Sequence, residues 1–231
     1  MLAFVASEAR EFAGLLRHVE QAARLDWPLD FARTAWLNGV EIVLAANGPG
    51  PKLAARAAEV VKEHYVLEGM ISMGFCGGLS FNLKPCDIFV GIGIAGLVHA
   101  LSVPRSHSCE RTHTGTLLSI DRVATTAQEK RELREKTQAD AIDMEAGALA
   151  AQAAGWNIPC YVIKVVTDTA SESFPLDFNR LRDPEGRFNR DKIIAAALSR
   201  PASRLPALLH LNKRSKLASE ALGDFIASTR F

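Results

Sequence analysis

Two acidic segments carry the most chemistry in this chain. The first is Ala141-Ile-Asp143-Met144-Glu145-Ala-Gly-Ala-Leu-Ala150, and the second is Tyr161-Val-Ile-Lys164-Val-Val-Thr167-Asp168-Thr-Ala170. Each brings a carboxylate to the end of an apolar run, where it is costly to desolvate and is therefore hydrogen-bonded, functional, or both. A carboxylate at a helix start can accept two hydrogen bonds from vicinal hydroxyls, and the positive helix end favours its charge. That chemistry is open to Asp143 and Glu145, with Met144 either core filler or an apolar plate beside a sugar ring. Asp168 closes a β-branched strand; as a buried acid with a raised pKa it could protonate a leaving group. Taken singly, each acid has a plainer explanation, as a helix N-terminal residue or a turn and cap residue.

Two glycine clusters could bring backbone amides to a ligand. Gly74-Phe75-Cys76-Gly77-Gly78 follows a short apolar strand, and its amides could hold an anion or a water. Asn47-Gly48-Pro49-Gly50 reads the same way, with Gly48 and Gly50 around a phosphate or water. Neither is the GxGxxG pattern, and tight turns use the same residues. Glu8 and Glu11 follow the first strand, where either could act as a general base or simply suit a helix start. His99, His107 and His113 share a polar stretch without metal spacing and read as surface or loop residues. No GxSxG elbow supports a serine hydrolase. The charged stretch from Glu129 to Lys136 reads as a solvated helix face.

These residues need an alternating scaffold, and the chain supplies one. Strands are expected at Leu2 to Ala6, Arg33 to Leu37, Val40 to Ala46, Met70 to Met73, Asp87 to Ala95 and Gly115 to Ile120. Helices are expected at Glu8 to Glu20, Lys52 to Tyr65 and Gln128 to Gln138, with a final helix beyond Pro201. Asn38-Gly39 marks a hairpin. The 171–191 stretch, rich in Pro, Asp and Arg, is a long connection and a candidate lid or substrate loop. Alternation of this kind gives an α/β sheet with helices on both faces, with ligands bound beyond the carboxyl ends of strands.

The 231 residues can form one domain spanning the chain, and 48% hydrophobic with 23% charged residues is ordinary for a globular protein. A net charge of +1 gives no bulk attraction for nucleic acid. No apolar stretch reaches transmembrane length, and nothing at the N-terminus reads as a signal segment. Cys76, Cys86, Cys109 and Cys160 form no CxxC pair, and His107 beside Cys109 reads as a coincidence; reduced thiols and a cytoplasmic setting are expected.

Together the motifs resemble the purine nucleoside phosphorylase and nucleosidase superfamily, which includes methylthioadenosine/adenosylhomocysteine nucleosidases, futalosine hydrolases and hopanoid-associated phosphorylases. Five segments match in order: Met1 to Phe12, Asn47 to Lys52, Met73 to Leu79 with Leu83 to Val90, Asp143 to Glu145, and Val166 to Asp168. The resemblance implies a three-layer α/β/α sandwich with a central mixed sheet and cleavage of the N-glycosidic bond of a purine nucleoside. It implies that Glu145 holds the ribose hydroxyls, that Met144 lies against the sugar, and that Asp168, oriented by Thr167, protonates the base. Glu11 would position or activate water, with Glu8 as its substitute. Asp143, Phe75, Cys76 and Gly77 would lie in the substrate site, and the backbone near Val123 and Ala124 would face the base. A homodimer or larger ring is expected from the resemblance alone.

No metal or organic cofactor is implied, because positioned carboxylates suffice to protonate the base and stabilise an oxocarbenium-like centre. Phosphate is the second substrate if the reaction is phosphorolysis. Phe75 stands where relatives often carry Ser or Thr, an aliphatic Val123 replaces a stacking Phe, and neither glycine cluster holds an arginine, although Lys164 offers one cation. The missing arginine leans towards hydrolysis. The 171–191 connection and the proline-bearing tail look most like the hopanoid-associated branch, which would imply an adenosyl group on a large lipid. A non-catalytic nucleoside-binding protein is the alternative; retention of both Glu145 and Asp168 argues against it, since a binder needs no proton donor.

Overall fold

The computed structural model describes residues 1–105 and 111–231, so His107 and Cys109 lie outside the described residues. Period-two alternation sends successive strand residues to opposite faces. In β1 (Leu2–Ala6), Ala3 and Val5 face one core while Phe4 and Ala6 face another. In β9 (Cys160–Asp168), Val162 and Val166 share the first core, and Ile163 and Val165 the second. Helices α1 (Pro51–His64) and α3 (Ala146–Gly155) cover the first face through small residues such as Ala54, Ala58, Ala146 and Ala150. The second is covered by the last helix, α5 (Pro201–Ala227), through Ala218, Leu222, Phe225 and Ile226.

Nine strands form one mixed sheet, as expected. The others are β2 (Glu20–Arg24), β3 (Phe31–Leu37), β4 (Val40–Ala46), β5 (Gly69–Gly78), β6 (Ile88–Ile94), β7 (Thr112–Ser119) and β8 (Ala141–Asp143). Their order is β2-β3-β4-β1-β5-β8-β7-β6-β9, and β5 also pairs with β9, which closes the last five strands on themselves. β1, β5 and β9 run parallel, so Ser7, Gly77 and Asp168 emerge at one end of the sheet. The β3–β4 hairpin turns through Asn38 and Gly39, both at positive φ, as an Asn-Gly turn requires. Helices α2 (Ala127–Thr137) and α4 (Arg190–Leu198) complete the fold. Among the described residues no helix is long and apolar enough to cross a membrane.

Three local expectations are corrected, and one strand, β2, was not expected. The Glu8 to Glu20 helix is instead two 3-10 turns, Ala9–Phe12 and Leu15–Arg17. Between them Gly14 lies directly against the α5 backbone, where a Cβ would overlap the Ser219 carbonyl, and Gly223 of α5 lies equally close to Gly14. The apolar spacing there satisfies a three-residue period as well as a longer helix. The cluster Gly74 to Gly78 is the end of β5 rather than a loop, paired to β9 through a bulge at Cys76 and Gly77. β2 escapes the hydrophobic pattern because all five of its residues are exposed. His113 belongs to β7 and contacts Asp87 Oδ2 at 3.1 Å rather than sitting in a loop.

Candidate active site

A cavity of about 370 Å³ opens at the carboxyl ends of β1, β5 and β9. Glu8, Glu11, Phe75, Cys76, Gly77, Val123, Ala124, Asp143, Met144, Glu145, Thr167 and Asp168 all line it. Gly48 and Gly50 do not: their N–H groups donate inward, to the Ser7 carbonyl at 2.8 Å and to Glu145 Oε1 at 2.8 Å. The second of these bonds holds an acid of the site instead of a ligand.

Glu11 is fixed by three backbone donors. Ser7 N–H and Glu8 N–H donate to Oε2 at 2.7 and 3.1 Å, and Phe75 N–H donates to Oε1 at 3.1 Å. Gly74, at φ +128, makes room: a Cβ there would lie 2.9 Å from the Glu11 carboxyl carbon. Gly77 does the same for Asp168, whose Oδ2 would be 2.9 Å from an added Cβ. The glycines therefore admit carboxylates, which is the close approach their lack of a side chain allows. Burial pushes the Glu11 carboxyl up, against the opposing charge of Lys164.

The second acidic group forms around Lys164. Its ammonium contacts Asp143 Oδ2 at 2.8 Å and donates to the Met73 carbonyl at 3.3 Å. Burial would strip its proton, but Asp143, Glu145 and Glu11 outweigh that and raise its pKa. Asp143 Oδ2 also accepts Ala146 N–H at 2.9 Å, capping α3. Glu145 precedes the first residue of α3 and accepts Gly50 N–H and Met144 N–H. Burial and the neighbouring Asp143 charge push its carboxyl up to about 8. One cation among three acids leaves a proton on the site at neutral pH.

Asp168 lies at the third corner. Thr167 Oγ1 donates to its Oδ1 at 2.9 Å. Lys130 Nζ donates to its Oδ2 at 2.5 Å. Burial raises the Asp168 carboxyl, and Lys130 and Thr167 pull it only part of the way back. Lys130 is a residue that sequence reasoning missed. It belongs to α2, whose composition reads as solvated, yet it is 1% exposed. The available signal was its place three residues before Leu133, which puts both on one helix face and that face inward.

The remaining wall is apolar. Phe174, Phe178 and Phe188 of the 171–191 connection line the cavity and pack edge to face, with centroids 5.4 and 6.0 Å apart. Ile193 of α4 and Leu208 and Leu211 of α5 extend it. The backbone of Val123 is not free to face a base: its N–H and C=O are both taken by the Asn179 carboxamide, at 2.8 and 2.9 Å. Four arginines on the cavity wall or beside the Asn47 to Gly50 turn already have acidic partners. Arg10 pairs with Glu8, Arg122 with Glu129, Arg182 with Asp121 and Arg187 with Asp30. Cys76, at the cavity floor, has its thiol pushed well up by burial.

The sequence pattern of the phosphorylase superfamily matches residues 4–99 and 94–199. The chain is similar to a 5'-methylthioadenosine/S-adenosylhomocysteine nucleosidase of Buchnera aphidicola subsp. Baizongia pistaciae, 23% identical over 162 residues, or 58% of this chain. That match spans 64% of the nucleosidase's own length. It is also similar to a purine nucleoside phosphorylase, DeoD-type, of Shewanella loihica, 24% identical over 72% of this chain and 81% of that one. A solved 5'-methylthioadenosine/S-adenosylhomocysteine nucleosidase from Neisseria meningitidis, in complex with methylthio-immucillin-A, has the same fold, with a TM-score of 0.72 at 20% identity over 98% of this chain and 96% of that one. The chain belongs to the phosphorylase superfamily of enzymes.

Proposed function

We propose that the protein hydrolyses the N-glycosidic bond of a purine nucleoside. The observation that carries this reading is three separately held carboxyl groups, Glu11, Glu145 and Asp168, open to one cavity with distinct partners. Asp168, its carboxyl raised by burial, donates a proton to N7 as the C1′–N9 bond breaks and the electron pair leaves with the base. Glu145 accepts hydrogen bonds from the ribose hydroxyls, and Met144 lies beside the sugar. Glu11, locked by three amides, takes the proton of the water that adds to C1′, and its raised pKa suits that role. Solvent then returns one proton from Glu11 to Asp168. Val123 supplies an aliphatic side chain, and the phenylalanines provide apolar surface for the base or the 5′ substituent.

The paired state of Arg10, Arg122, Arg182 and Arg187 favours water over phosphate as nucleophile. A phosphate dianion needs uncommitted cations, and Glu8 and Glu11 add negative charge on the side where it would attack. The test is base release from adenosine, inosine, guanosine, methylthioadenosine and adenosylhomocysteine, with and without phosphate, read by chromatography. Free ribose or its 5′-substituted form in phosphate-free buffer is expected. A strict phosphate requirement with a sugar 1-phosphate product would overturn hydrolysis.

A further inference from the structure

Lys130 is buried and its ammonium is fully bonded. Its ammonium donates to Asp168 Oδ2 at 2.5 Å, to the Thr169 carbonyl at 2.8 Å and to the Glu172 carbonyl at 3.2 Å, which engages all three of its N–H groups. The ring of Phe174 lies 5.4 Å from Nζ. The lysine comes from α2 and the acid from β9, so two elements far apart in sequence meet at this contact. We propose that Lys130 is the positioning residue of the proton donor: it fixes Asp168 and offsets the negative charge left there when the proton moves to the base. The proposal rests on the nucleoside-cleaving reading above and deepens it.

The physical case is one of charge timing. Before bond breaking, a protonated Asp168 gains an ordinary hydrogen bond from Lys130. After its proton passes to N7, the carboxylate stands beside an ammonium that water does not screen, where the attraction is far stronger than in solution. The lysine therefore favours the state after proton transfer over the state before it, which is what lowers a barrier. Other charged groups near the pair are already committed. Glu172 is held by Arg214, at 2.8 and 2.9 Å, and by Thr169 N–H at 2.8 Å, and Arg214 also donates to the Thr167 carbonyl.

The test compares Lys130→Met, Lys130→Arg and Asp168→Asn on two substrates. One is the purine nucleoside that the wild type cleaves best; the other is 4-nitrophenyl riboside, whose phenolate leaves without a proton. For Lys130→Met we expect kcat on the nucleoside to fall on the order of 10²-fold, kcat on the nitrophenyl riboside to stay within about threefold, and Lys130→Arg to recover part of the loss. Equal losses on both substrates, or no loss on either, would overturn the proposal. Circular dichroism identifies a variant that has not folded, and the Lys130→Arg result then decides by the same comparison. Asp168→Asn separates the two levels: unchanged nucleoside turnover there removes the proton donor itself. A loss in Asp168→Asn without one in Lys130→Met overturns only the role of the lysine.

Discussion

Two lysine–carboxylate pairs stand at the same cavity, and they differ in how many charges surround them. Lys164 and Asp143 have buried side chains, 1% and 0% exposed. Glu145 and Glu11 act on the same ammonium, so one cation serves three acids. Lys130 forms its ion pair with a single acid, and the Glu172 charge that also acts on that acid is itself paired with Arg214. The crowded pair sets a frame that caps α3 and leaves a proton on Glu145. The balanced pair leaves Asp168 ready to change charge. In the proposed reaction, equal chemistry thus serves scaffold in one place and proton transfer in the other, according to the local count of charges.

The largest expected effect falls on the balanced pair. Asp168→Asn should lower the rate of base release by about 10²- to 10⁴-fold while a bound riboside inhibitor keeps its affinity. Chromatography and calorimetry check the two halves, and equal loss of both would make Asp168 a binding residue. The crowded pair should answer in stability instead. Lys164→Met strands buried Asp143 without its cation and should cost about 3–5 kcal/mol, read as a lower denaturant midpoint. An unchanged midpoint would mean that Asp143 is held by the α3 amide alone.

The smallest effect sharpens the contrast through pH. Glu145, raised to about 8, gains the full negative charge that strengthens hydrogen bonds from ribose hydroxyls only as pH rises through that value. Riboside affinity should therefore rise about tenfold from pH 7 to pH 9, while the affinity of the free base stays flat. Stability runs the other way. The proton that folded Glu145 retains contributes fully below its ordinary value of 4.5, and that contribution is lost as pH rises through about 8. Glu145→Gln should flatten both profiles, and a riboside profile that stays sloped in this variant would assign the titration to another group.

Much of this was legible in the sequence where one residue determines its own environment. The Asn38-Gly39 hairpin, the strand ending at Asp168 and the helix opening after Glu145 all follow from local pattern. What was not legible depends on partners far along the chain. Whether Lys130 points outward or inward is decided by Asp168, 38 residues away. The Gly74 to Gly78 cluster looks like a turn until Glu11 and Asp168 are seen occupying the space that side chains would fill. The Val123 backbone looks available until Asn179 takes it. Local composition states what a residue can do, and tertiary partners decide whether it is free to do it.

The crossing of Gly14 over Gly223 has a consequence for how this chain can change. Gly14 N–H donates to Ser219 Oγ, and that hydroxyl shares its one hydrogen between the Arg10 and Glu11 carbonyls, so α5 holds the turn that presents Glu11. Neither glycine needs an unusual backbone angle; what each lacks is room, because main chain meets main chain there. Even alanine would push the helix away from the turn and carry Glu11 with it. Two residues outside the cavity wall should thus tolerate fewer replacements than Phe75 or Val123 on it, and the protein can alter its choice of ligand more readily than it can alter this joint.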